Sequence, residues 1–82
     1  MALPIEEVLS LWRELERARD ELPPDAPERQ VIGFEIGRVR VVYRRLSERS
    51  ETSSVLLNAA QRQIALSRAA LQGARRRLAE AE

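Results

Sequence analysis

The feature that most constrains this chain is a seven-residue apolar repeat that runs from position 32 to position 81. One stripe of the repeat carries mostly large side chains: Ile36, Tyr43, Ser50, Leu57, Ile64, Leu71 and Leu78. The other stripe becomes small toward the C-terminus: Ile32, Val39, Leu46, Ser53, Ala60, Ser67, Ala74 and Ala81. Spacings of four and three place both stripes on one side of an α-helix, where they form a seam for a neighbouring helix. The repeat therefore predicts an all-α, coiled-coil-like protein.

Prolines and apolar spacing divide the single predicted domain into three helical segments. Pro4 suits the first turn of a helix, and Pro23 and Pro24 end the apolar periodicity that follows it. The predicted order is a short amphipathic helix at about 4–22, a loop at 23–27, a helix at about 28–49, a turn at about 50–54 and a helix at about 55–80. Asp25 and Glu28 have the spacing of a capping box at the start of the second helix.

The segment from 31 to 43 has two competing interpretations. It is rich in valine and isoleucine, and Gly37-Arg38 would suit a two-residue turn between β-strands. The four-three spacing nevertheless continues through this segment without a break. The spacing favours a helix over a β-hairpin.

The polar run from 50 to 54 also allows two structures. A tight turn would fold the second and third helices into an antiparallel hairpin, with Ser50 or Thr52 as the cap. A helix that passed straight through would be a rod of about 55 residues, roughly 80 Å long at 1.5 Å per residue. Five consecutive residues of modest helix propensity favour the turn.

The third helix has apolar residues on two sides. Its small stripe at Ala60, Ser67 and Ala74 resembles the alanine-rich antiparallel packing called the Alacoil, which lets helix backbones approach closely. A second stripe lies on another side: Leu56, Ala59, Leu66, Ala70 and Gly73. Phe34 and Val41 likewise lie away from the main seam of the second helix. A helix that is apolar on two sides needs two neighbours.

One short first helix is too small to cover all of these faces, so the chain is predicted to self-associate. The expected assembly is a homodimer in which two hairpins share a four-helix core, with the first helices outside. The predicted interface residues are Trp12, Ile36, Tyr43, Leu57, Ala60, Ile64, Leu71, Ala74 and Leu78.

The amino-acid composition excludes several kinds of catalytic and metal-binding chemistry. The 82 residues contain no cysteine and no histidine, and all 14 basic residues are arginine. Disulfides, thiolate metal sites, imidazole catalysis and lysine chemistry are therefore excluded. No catalytic, cofactor-binding or metal-binding residue is predicted, and the chain is not expected to be an enzyme. Without a signal-like leader or a membrane span in the sequence, a cytoplasmic protein without membrane contact is expected.

An arginine cluster from 38 to 49 is the one candidate for recognising nucleic acid. Arg38, Arg45 and Arg49 would share one helix face and would be doubled in a dimer, which suits contact with a phosphate backbone. The competing interpretation pairs the cluster with acidic residues of the first helix and its loop. We expect a non-enzymatic oligomerisation or adaptor module that binds another protein through helix faces. The alternative is a small dimeric nucleic-acid-binding or regulatory protein.

Overall fold

A computed structural model describes residues 3–48 and 53–80. Within these ranges the chain forms three α-helices that pack against one another, α1 (Pro4–Glu21), α2 (Pro27–Glu48) and α3 (Ser54–Glu80), and it contains no strand. The all-helical prediction is confirmed, and the β-hairpin alternative at 31–43 is excluded. No helix among these residues is both long and apolar enough to cross a membrane.

The ends of α1 follow from its prolines. Pro4 occupies the first turn, and Glu6 and Glu7 lie where the helix dipole favours carboxylates. The residue before a proline avoids helical backbone angles, and Leu22 accordingly adopts an extended conformation before Pro23. The side chain of Arg29 donates a hydrogen bond of 3.0 Å to the carbonyl oxygen of Leu22, which satisfies a backbone acceptor just beyond the helix.

The start of α2 differs from the predicted capping box. Proline lacks an N–H group and has a helix-compatible φ angle, so Pro27 serves as the first helical residue. This moves the cap position to Ala26, one residue beyond Asp25. The carboxylate of Glu28 binds Arg77 of α3. The capping box is therefore wrong, although the predicted boundary is only one residue away.

The chain reverses direction between α2 and α3. Glu35 contacts Gln63. Glu28, which comes earlier in α2, contacts Arg77, which comes later in α3. The two helices are antiparallel, and the longest dimension of the molecule is 45 Å. Both observations exclude the continuous rod.

The cap of α3 is Ser53. Its hydroxyl oxygen accepts a hydrogen bond of 3.2 Å from the backbone N–H of Leu56. The helix consequently begins at Ser54, one residue earlier than predicted. The predicted caps Ser50 and Thr52 lie outside the described residues, as does most of the predicted turn.

The first helix lies parallel to α3, alongside the α2–α3 hairpin. Arg68 binds Glu7 at 2.7 Å and Arg75 approaches Glu14 at 3.9 Å, so the ion pairs recur seven residues apart on both helices. Trp12 meets Tyr43 of α2 edge to face, with ring centroids 5.7 Å apart. The apolar seam of the hairpin is thereby closed by α1 of the same chain.

The most deeply buried residues belong to the small stripe and its continuation on α2. Ala60, Ser67 and Ala74 are fully buried, and Ile32 and Val39 are at most 1% exposed. Val8 and Leu15 of α1 are fully buried as well. All the apolar members of this set belong to one core cluster. The small residues therefore face the centre of a three-helix bundle.

We expect Ala74→Leu to lower the free energy of unfolding by about 1–3 kcal/mol, because the added atoms have no space in a filled core. The matched control is Ala65→Leu on the exposed side of the same helix, which should change stability by less than about 0.5 kcal/mol. Urea denaturation measures both variants. Equal stability of the two variants would contradict burial of the small stripe.

The pair between Glu28 and Arg77 makes stability depend on pH. Its hydrogen bonds, at 3.0 and 3.2 Å, lower the pKa of the Glu28 carboxyl below its ordinary value of 4.5. The folded chain therefore holds the carboxylate more readily than the unfolded chain does. The resulting stabilisation is fully present above pH 4.5 and is lost as the pH falls through the lowered pKa.

We expect Glu28→Gln to lower the melting temperature at neutral pH and to converge with the wild type as the pH falls below that lowered pKa. Thermal unfolding followed by circular dichroism at several pH values measures the difference. Arg77→Gln breaks the same pair, so the double variant should lose no more than the larger single loss. A difference that persisted unchanged in acid would contradict the assignment.

Candidate protein-interaction surface

An apolar groove lies between α2 and α3 on the side of the hairpin away from α1. Its volume is about 420 Å³. The residues that line it are Phe34, Gly37, Arg38, Val41, Val42, Ala59, Arg62, Gln63 and Leu66. A second groove of about 430 Å³ shares Ala59 with it and continues toward the end of the hairpin, lined also by Arg45, Glu48, Ser53, Val55 and Leu56. We call the two together the α2–α3 groove.

Large apolar side chains are exposed around this groove. Phe34 is 66% exposed, Val41 51% and Leu66 41%. Gly37 lies between the first two, and a Cβ atom added to it would meet no atom within 4 Å. The second apolar sides predicted for α2 and α3 thus meet in one surface. Contiguous exposed apolar surface of this kind is typical of sites that bind other molecules.

A buried polar cluster lies beneath the groove. Gln63 donates hydrogen bonds of 3.2 Å to the carboxylate of Glu35 and of 3.2 Å to the hydroxyl of Ser67. Glu35 and Gln63 are each 6% exposed, and Ser67 is fully buried. Arg38 approaches the other carboxylate oxygen of Glu35 at a long 3.4 Å. The cluster ties α2 to α3 at the centre of the groove.

Sequence reasoning missed this cluster, because it expected no carboxylate at an interior position. Glu35 and Gln63 stand next to the main seam, at Ile36 and Ile64, and Gln63 interrupts the second apolar stripe seven residues after Leu56. Their burial arises because the antiparallel register brings the flanks of the two seams together. The available signal was a polar residue beside a seam position on each helix of the predicted hairpin.

The predicted interface residues lie mainly inside the single chain. Ile36, Ala60, Ile64, Leu71 and Ala74 are buried, whereas the others are partly buried: Trp12, Tyr43, Leu57 and Leu78. Their neighbours are supplied by α1, which covers the seam that was assigned to a second copy. A role for these nine residues in self-association stays a prediction and would require α1 to move. The exposed residues Phe34, Val41, Val55 and Leu66 line the α2–α3 groove instead.

The structure describes two of the three arginines that were predicted to contact nucleic acid. Arg38 and Arg45 are exposed on the same side of α2, each beside the α2–α3 groove, and Arg49 lies outside the described residues. The competing idea that α1 acids neutralise this cluster does not match the observed pairs. Glu7 and Glu14 bind arginines of α3, because α1 lies parallel to that helix.

The acidic residues near the groove do not form a metal-binding cluster in the part of the chain that the structure describes. The described ranges contain no group of three or more acidic side chains positioned to hold a metal ion. Glu35 is the only carboxylate buried beside the groove among these residues, and its oxygens are engaged by Gln63 and Arg38. The groove itself presents apolar side chains and arginines.

Comparison of the chain with protein-family models, with curated proteins and with solved structures finds no significant match.

Replacing both polar partners in the buried cluster should cost less stability than replacing Gln63 alone. We expect Gln63→Leu to lower the free energy of unfolding by about 1–3 kcal/mol, because Glu35 loses its donor from α3 while remaining buried. Adding Glu35→Leu should recover most of that loss, because both polar partners are then replaced by apolar groups. Denaturant titration of both variants checks this, and a double variant less stable than Gln63→Leu would contradict it.

Proposed function

We propose that this chain is a non-enzymatic protein-interaction module whose α2–α3 groove binds a helix of a partner protein. The observation that carries the proposal is the asymmetry of the hairpin. Its α1 side is mostly buried, whereas its opposite side exposes Phe34, Val41 and Leu66 around an open groove. A cytoplasmic adaptor role is part of the same proposal.

The shape of the groove favours a helical partner. Two antiparallel helices present a trough into which a third amphipathic helix inserts apolar side chains at positions i, i+3, i+4 and i+7. The open space at Gly37 leaves room for such side chains between Phe34 and Val41. The homodimer predicted from the sequence uses the seam residues that α1 covers, so a dimer with a helix of a second copy in this groove would be a different assembly.

The arginines beside the groove support nucleic-acid binding less well than they support binding of a protein helix. A phosphate backbone gains nothing from apolar side chains, and the residues around the groove are mainly apolar. The only large aromatic side chain in the groove is Phe34, which leaves little to stack successive bases. Binding through Arg38 and Arg45 therefore stays the alternative prediction.

The test uses a synthetic amphipathic peptide of about 18 residues, or roughly five turns, with a leucine stripe and glutamine on its other faces. We expect the protein to bind the labelled peptide and Phe34→Ser to weaken the affinity at least tenfold. Because Phe34 is 66% exposed, its replacement should leave the melting temperature nearly unchanged. Fluorescence anisotropy measures the affinity.

The matched control is Leu3→Ser, which removes another exposed apolar side chain, 59% exposed, that does not line the groove. It should bind the peptide as the wild type does. Equal affinities for Phe34→Ser and the wild type would overturn the proposal, as would a short DNA duplex that bound while the peptide did not. Sedimentation equilibrium of the protein alone reveals whether a second copy competes for the groove.

A further inference from the structure

The α2–α3 groove is apolar at its centre and basic at its edges. Arg38, Arg45 and Arg62 are exposed around it, and Glu48 is the one acidic residue among those that line it. Glu35 lies buried beneath the surface and already faces Arg38. Among residues 3–48 and 53–80, three exposed arginines and one exposed carboxylate therefore line this surface.

Within the described ranges, Arg38 faces Glu35, whereas Arg45 and Arg62 have no acidic partner. Acidic side chains of α1 and of the start of α2 are engaged on the other sides of α3: Glu7 with Arg68, Glu14 with Arg75 and Glu28 with Arg77. Arg45 and Arg62 form no ion pair with any acidic residue of 3–48 or 53–80. Both are exposed and line the groove, where a bound molecule would be within their reach.

A second copy of the chain matches this charge pattern poorly. A two-fold dimer formed through the groove would use the same patch on both subunits, so each basic edge would lie against a surface that is itself basic. Like charges brought together across an interface oppose association. A partner of opposite charge has no such cost.

We propose that the occupant of the α2–α3 groove is an amphipathic helix of a different protein, with glutamate or aspartate residues flanking its apolar stripe. The inference rests on the proposed function and adds the chemistry of the partner. The apolar stripe would contact Phe34, Val41 and Leu66, and the flanking carboxylates would pair with Arg45 and Arg62. Arginine suits this role because its planar guanidinium group binds a carboxylate through two hydrogen bonds.

Three peptides with the same leucine stripe and with glutamate, glutamine or arginine flanks test the inference. At about 50 mM salt we expect the glutamate peptide to bind roughly three- to tenfold more tightly than the glutamine peptide, as a few exposed ion pairs would produce. The arginine peptide should bind most weakly. The three affinities should converge at about 1 M salt, where the screening length falls to roughly 3 Å.

Arginine-to-glutamine variants test whether the preference for the glutamate peptide arises at the groove. Replacing Arg45 and Arg62 by glutamine should remove the preference for the glutamate peptide while the glutamine peptide binds as before. Arg40→Gln is the matched control, since Arg40 is an exposed α2 arginine that does not line the groove. Arg38 is left unchanged in this experiment because its loss would disturb the buried carboxylate of Glu35.

The outcomes separate this inference from the function on which it rests. Equal affinity for the glutamate and glutamine peptides overturns the acidic partner and leaves the interaction module intact. A wild-type dimer that dissociates on Phe34→Ser overturns it too, by placing a second copy in the groove. Absence of binding by every peptide overturns the proposed function itself. Tight DNA binding that Arg45→Gln and Arg62→Gln abolish would assign the basic edges to a phosphate backbone.

Discussion

The fold depends on the burial of small side chains at seven-residue intervals along α3. Ala60, Ser67 and Ala74 are fully buried, in a core that they share with Ile32 and Val39 of α2 and with α1. Small residues at these positions leave room for two neighbouring helices to approach the same side of α3. A leucine there would force one of them away. The heptad repeat is therefore the constraint that allows an 82-residue chain to complete a core.

The position of α1 decides which apolar surface remains open. The first helix has 18 residues, and its buried positions Val8, Leu11, Leu15 and Ala18 form a single stripe. Such a stripe closes one side of the hairpin and cannot also reach the other. Heptad-spaced ion pairs to Arg68 and Arg75 hold α1 alongside α3. On the opposite side, Phe34 and Leu66 are not covered by any of the three helices.

The open side combines exposed apolar side chains, two adjoining cavities between α2 and α3, and exposed arginines at their edges. The buried pairing of Glu35 with Gln63 lies directly beneath it and holds the two helices in register. A rigid trough loses less conformational entropy on binding than a surface that must first become ordered. The polar cluster thus supports the surface without belonging to its exposed part.

The sequence by itself determined the helices, their approximate ends and the second apolar sides of α2 and α3, because helical periodicity and proline act locally. It also predicted the chain reversal, through the polar run that interrupts the seam. Only the tertiary structure decided that α1 covers the seam assigned to a dimer, that Glu35 is buried and that α1 acids pair with α3. Those outcomes depend on the direction and register in which helices pack, and the heptad repeat is compatible with several of each.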